Sequence, residues 1–277
     1  LSLHDALPIF EEILPWLESQ TVLCVGDLML DEFVYGDVTR ISPEAATPVL
    51  AIRRREIEIG GAGNVARNVT GLGARCVFVG VVGEDEEGRM LASQFAGQPL
   101  MEAHLVVDSG RPTTRKIRFV SEHHSTHLMR ADWELATPIA PTIEDAVMRE
   151  ALAAIAGVGA VILSDYAKGV LTPRVIRAIV DSAHAAGKPV IVDPKGLDYE
   201  IYRGATIITP NRKELGEAAH RPVGSEAEIA AAAADLAERV GTEAVLITRS
   251  EDGMTLYRKG VGTVHVPAYP VRVRDVS

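Results

Sequence analysis

With 277 residues, 47% of them hydrophobic and 24% charged, the chain has the makeup of one large folded α/β domain plus a small accessory element, and disordered and fibrous classes drop out. A formal net charge of −10 disfavours nucleic-acid and anionic-membrane partners, because phosphate neutralisation needs a continuous surface excess of Lys and Arg; an anionic small molecule would need a local basic cluster. No apolar run of about eighteen residues marks a membrane span and no basic-then-apolar start marks a secretory signal; Cys24 and Cys76 lie inside apolar strand patterns as small hydrophobes, so a reducing cytoplasm is the expected compartment.

Residues 1–9 lack an initiating Met and resemble translated adapter sequence, so they are expected to be a non-native leader, with the domain running over 10–277. The apolar run 22–25 predicts a buried strand closed by Gly26-Asp27, where Asp27 can accept hydrogen bonds from polyol hydroxyls or cap a turn. Residues 47–59 alternate apolar and charged side chains, as do 115–120 and 126–130 across a hairpin tip at 121–125. These predict a second, half-exposed sheet built from about 33–59 and 112–131, placed as a lid.

Gly60-Gly61-Ala62-Gly63-Asn64 opens a predicted helix at 63–72. Glycines there let backbone N–H groups approach a ligand at a helix N-terminus, or merely allow a tight packing turn. The same residues satisfy the G-x-G-x-x-G/A dinucleotide fingerprint, but the preceding Arg53-Arg54-Arg55-Glu56-Ile57-Glu58-Ile59 is not the continuously apolar strand which that motif follows. Further buried strands are predicted at 77–82, 160–163, 189–192, 206–208 and 244–247, alternating with helices at 86–95, 142–156, 173–186, 212–219 and 225–240. That rhythm specifies βαβ units and a mainly parallel sheet covered on both faces.

Asp165 and Lys168 follow one of these strands, where open parallel sheets build binding crevices, and Lys195 follows the next, where a lysine offsets phosphate charge or simply faces solvent. Asn211 and Glu214 share a face at a helix start, which also fits an ordinary capping box. Arg115, Lys116, Arg118 and Arg130 form the available basic cluster on the lid, each equally readable as a solvated face. His123, His124 and His127 lack a supporting ligand pattern and read as surface.

Gly-Asp after the first strand, Gly-Gly-x-Gly-Asn at a helix start, a β lid and Thr209-Pro210-Asn211-x-x-Glu214 together resemble the ribokinase-like, pfkB-type carbohydrate kinases from about Val22 to Ser277. The segments Val25–Asp31, Ile41–Ala45, Leu163–Gly169, Asp193–Gly196 and Thr248–Met254 are similar, within that family, to kinases of D-glycero-D-manno-heptose 7-phosphate. The resemblance implies a mainly parallel central sheet with helices on both faces and a small β lid. It also implies ATP and Mg²⁺ as cofactors and phosphoryl transfer to the C1 hydroxyl of the sugar phosphate, a step toward ADP-heptose for lipopolysaccharide. Asp27, Gly60, Gly61, Gly63 and Asn64 would then bind the sugar, with Asp165 and Lys168 beside them, and Lys116, Arg118 and Arg130 would take the 7-phosphate. Asn211, Glu214, Thr248, Arg249 and Gly253 would hold the nucleotide, Glu214 reaching Mg²⁺ through water, and a homodimer through the lid is a further expectation. The family's Gly-Ala-Gly-Asp signature, whose Asp takes the proton from the attacking hydroxyl, is expected beyond Ser277, so the chain as it stands is expected to be nearly inactive. Another sugar or nucleoside kinase of this fold, or a noncatalytic sugar-binding or regulatory protein, are the other functions the residues allow.

Overall fold

A computed structural model describes residues 13–123 and 126–268. The expectations for residues 1–9, for His124 and Ser125 at the hairpin tip and for Arg274–Ser277 lie outside them. The larger sheet has strands β1 (Thr21–Gly26), β4 (Arg75–Gly83), β5 (Met101–Asp108), β8 (Ala160–Ser164), β9 (Val190–Asp193), β10 (Ile207–Ile208), β11 (Ala244–Thr248), β12 (Met254–Arg258) and β13 (Gly262–Val266). Their spatial order is β13-β12-β11-β10-β9-β8-β1-β4-β5, parallel throughout except that β12 and β13 return antiparallel at one edge.

Strict alternation along the central strands separates two cores. Leu23 and Val25 of β1, with Val79 and Val81 of β4, pack under helices α3 (Pro141–Ile155), α4 (Pro173–Ala185), α5 (Arg212–Ala219) and α6 (Glu226–Val240). Cys24, Cys76, Phe78 and Val82 point the other way, against α1 (Ala62–Gly71), α2 (Glu86–Ala96) and three residues of the second sheet, Leu28, Leu30 and Ile59. Burying both faces is what makes the parallel strands read as continuous apolar runs.

The second sheet contains β2 (Leu28–Ile41), β3 (Pro48–Gly61), β6 (Arg115–Ser121) and β7 (Thr126–Trp133) in the order β3-β2-β6-β7. β2 begins at Leu28, one residue after β1, because Leu28–Leu30 is an apolar continuation that hides the change of sheet in the sequence. The lid is thus rooted in the body through buried Leu28, Leu30 and Ile59, and its β2–β3 ladder slips register between Tyr35 and Gly36 and again between Val38 and Arg40. β5, β12 and β13 were also outside the predicted strands. They are sheet-edge strands, and the two edge-most, β5 and β13, have no fully buried residue to give a period-2 signal.

Candidate active site

The strand ends of the parallel sheet converge on a cleft of about 490 Å³ lined by Asp165 and Tyr166 after β8, Asp193 to Lys195 after β9, Thr209 and Asn211 after β10, Glu214 on α5 and Thr248 at the end of β11. This is the carboxyl edge, where each strand hands its chain to a loop and the side chains are free of the ladder. Asp165, Lys195, Asn211, Glu214 and Thr248, separated by up to 83 residues in the chain, are thereby brought to one crevice.

Asn211 caps α5, its Oδ1 accepting from the Glu214 amide at 2.9 Å, while Glu214 Oε2 accepts from the Asn211 amide at 2.9 Å. The capping box is therefore present, and it leaves the second Glu214 oxygen, Oε1, to pair with Lys195 Nζ at 2.7 Å. Burial, and then the charge of Glu214, push Asp193 up to about 6. Asp165 is likewise raised to about 6, first by burial and also by the nearby Asp27, even though it accepts from Tyr202 Oη at 2.6 Å and from the Ala167 amide at 2.7 Å. The pairing of Glu214 with Lys195 raises that lysine, which stays cationic. Asp193 and Glu214 supply oxygen donors suited to a hard cation that keeps most of its water, although no cluster of three or more ligating side chains exists among the described residues.

Asp27 is 1% exposed and does not open into solvent. Its Oδ2 accepts from the backbone N–H of Tyr166 (2.8 Å) and Lys168 (3.0 Å), and its Oδ1 from that of Val170 (3.1 Å), so its carboxylate fastens the loop after β8. Asp31, four residues on and left unassigned in the sequence, is the carboxylate that stays accessible. It pairs with Arg118 Nη1 at 2.6 Å, and a Cβ at residue 60 would collide with it, which explains the glycine there. Gly61 has φ 60 as N-cap of α1, and Gly63 lets that helix close onto Leu28 and Ile59. Asn64 is exposed in the first turn of α1.

The lid cations are not bare. Lys116 Nζ lies 3.0 Å from Asp132 and 2.9 Å from Glu134 Oε2, and Lys168 Nζ lies 2.8 Å from that same Glu134 oxygen. Arg118, besides pairing with Asp31, stacks over Phe33 at 5.1 Å, and Arg130 pairs with Asp132 at 3.0 Å. Arg115 points to the other face of the sheet, bracing buried Glu32 and half-buried Glu87. Of the three residues expected after β11, only Thr248 lines the cleft. Arg249 is buried in an ion pair with Glu226 and bonds to Thr255 and His265, and Gly253, at φ 89, makes the close turn beneath β13. Neither is placed to touch a ligand in the cleft, because the β11–β12 turn directs both into the sheet edge.

A profile of the pfkB family carbohydrate kinases matches residues 19–277. The chain belongs to that family. Two relatives named bifunctional protein HldE, from Rhodopseudomonas palustris (strain BisB18) and Bradyrhizobium diazoefficiens, are each 56% identical over 268 residues, which is 97% of this chain and 55% and 54% of theirs. The chain thus spans about half the length of the curated relatives it matches. Among solved structures, Escherichia coli phosphofructokinase-2 in complex with substrates and products aligns with a TM-score of 0.73 at 17% identity, over 92% of this chain and 80% of that one. Ribokinase of Arabidopsis thaliana complexed with ribose and ATP aligns with a TM-score of 0.66 at 18% identity over the same shares, 92% and 80%. At these identities the likeness speaks for the ribokinase-like fold. No helix among the described residues is long and apolar enough to cross a membrane.

Proposed function

We propose that the chain phosphorylates a heptose 7-phosphate at its C1 hydroxyl with ATP, as the kinase portion of a protein like the bifunctional HldE relatives. The observation that carries this reading is the adjacency of two features at one end of the sheet. One is a crevice holding Lys195 against Glu214; the other is a lid whose Lys116 meets the body's Lys168 at Glu134, with Arg118 paired to Asp31 on the same sheet. The crevice suits a nucleotide's phosphates, with Lys195 offsetting charge as it builds on the transferred group. Mg²⁺, held through water by Glu214 with Asp193 beside it, would neutralise phosphate charge. Asp31 and Asn64 are the side chains open to sugar hydroxyls, and Asp27 acts through the loop it fastens. A soluble cytoplasmic enzyme and a homodimer through the lid belong to the same proposal.

Asp165 is engaged by Tyr202 and a backbone amide, and Asp193 sits beside Glu214 on the nucleotide side. We therefore assign proton removal from the sugar hydroxyl to the family's Gly-Ala-Gly-Asp aspartate, a motif these 277 residues do not contain. Turnover of heptose 7-phosphate, fructose, ribose and adenosine by the 277-residue chain and by a version extended through that motif tests both parts. The extended protein is expected to prefer heptose 7-phosphate and to exceed the shorter chain by roughly 10²–10⁴ or more, the usual worth of a general base. A preference for a neutral sugar, or equal turnover by the two proteins, would refute it.

A further inference from the structure

Two lysines that rarely tolerate crowding share one oxygen in this protein. Lys116 Nζ and Lys168 Nζ, from the lid and the body, stand 2.9 and 2.8 Å from Glu134 Oε2, and their side chains are only 12% and 17% exposed. The ammonium groups thus hold a tight seat for a single anionic oxygen, and the seat is filled by the protein itself. Four cations, Lys116, Arg118, Arg130 and Lys168, face three carboxylates, Asp31, Asp132 and Glu134. A phosphate entering this near-neutral patch finds cations only if a carboxylate leaves.

Which carboxylate leaves is decided by its backbone. Asp31 hangs from β2, and Asp132 from β7 directly opposite Lys116 in the ladder. Glu134 is in the irregular segment just past Trp133, the end of β7. The backbone beyond it is anchored, since one Arg111 nitrogen, Nη2, donates to the carbonyls of Leu135, Thr137 and Lys168. Release therefore needs only rotation of the Glu134 side chain. Its hydrogen bonds from Lys168 and Lys116 hold its carboxyl below the usual carboxylate range, so it is an anion at neutral pH and competes as one.

We infer that Glu134 is a built-in stand-in for the substrate's phosphate, keeping Lys116 and Lys168 gathered when the site is empty and yielding to a phosphomonoester, so that it sets the threshold for phosphate over neutral sugars. The inference rests on the proposed function for the identity of the sugar, but not for the existence of the anion seat. Calorimetry on the 277-residue chain separates the two by using inorganic phosphate, heptose 7-phosphate and unphosphorylated heptose as probes. Glu134→Gln, nearly isosteric, is expected to bind inorganic phosphate at least tenfold more tightly than the unaltered chain, and adding Lys168→Ala should erase the gain. Glu134→Asp, which keeps the charge on a shorter stem, should fall between and serves if the Gln variant does not fold. The same gain for heptose 7-phosphate but not for heptose extends the role to that substrate. A gain for inorganic phosphate alone keeps the stand-in and removes heptose 7-phosphate as its ligand. Unchanged or weaker phosphate binding by both Glu134 variants overturns the inference, whatever the sugar proves to be.

Discussion

Replacing Asp27 by Ala should loosen the loop after β8 before it affects any ligand. Three backbone N–H groups, of Tyr166, Lys168 and Val170, lose their acceptor in a place where Asp27 was 1% exposed. A hydrogen bond to a charged group contributes roughly 1.5–3 kcal/mol, and a buried donor left unmade costs about 1–3 kcal/mol. Three such losses sum to roughly 3–9 kcal/mol, and relief of the like charge on Asp165 together with entry of water brings the expected cost to about 3–5 kcal/mol. Asp27→Asn should cost about half of that, since its one carbonyl can still serve the two donors at Oδ2 while its NH₂ faces the Val170 amide. Urea unfolding gives the free energies, and amide hydrogen exchange locates the change, which should concentrate at 166–170. Sugar affinity should fall in parallel, as an indirect result. If Asp27→Ala costs less than about 1 kcal/mol and exchange at 166–170 is unaltered while heptose phosphate binding is lost, then Asp27 is a direct sugar ligand and the clamp is wrong.

Lys195→Ala should weaken ATP binding by about tenfold or more, the scale of one charge-assisted hydrogen bond, with sugar affinity unchanged by calorimetry; equal loss for both ligands would remove Lys195 from the phosphate site. Arg249→Ala should lower the urea midpoint by releasing Glu226, Thr255 and His265 yet leave ATP affinity within twofold, and a selective loss of ATP binding would restore it as a nucleotide contact. Asp193 has its pKa raised from 3.8 to about 6 in the folded protein, so the folded state holds the extra proton between those values and stability from this group declines as pH rises through them. Asp193→Asn should therefore be more stable than the unaltered chain by roughly 1–3 kcal/mol at pH 7, with the advantage shrinking toward pH 4; a difference that does not vary with pH would contradict the burial of that charge.

What could be read from the chain was whatever local pattern dictates. α5 and α6 start where Asn211 and Ser225 cap them, and β1, β4, β8 and β11 were visible because burial on both faces demands unbroken apolar runs. The cleft followed from the same rule, since residues just past parallel strands must share an edge. Pairing of charges was not legible. Nothing local to Lys116, Arg118 or Lys168 indicates that Asp132, Asp31 and Glu134 will face them, because those contacts depend on the register of β2, β6 and β7 and on a segment with no period. Asp27 reads as the acid after a strand and Asp31 goes unassigned, and only the return of the chain 139 residues later buries Asp27 while Asp31 stays accessible. Gly60 carried the one available hint, a residue without a side chain opposite Met29 and next to the place Asp31 needs.

The lid's root and its register slips bear on how the protein can close. Leu28, Leu30 and Ile59 fix the first rungs of the β2–β3 ribbon in the body's core, whereas the slips at Tyr35/Gly36 and Val38/Arg40 interrupt the ladder farther out. A ribbon anchored at its base and weakened along its length flexes like a cantilever rather than swinging like a door. The rung that carries Asp31, Lys116 and Asp132 lies on the stiff side of the first slip, so the charges proposed to read an anion stay with the fixed root, and the span from Gly36 to Ile52 is the part free to bend. Exchange protection should accordingly grade from slow near Leu30 to fast beyond Gly36, with bending confined to the outer span and the charged rung held by the root.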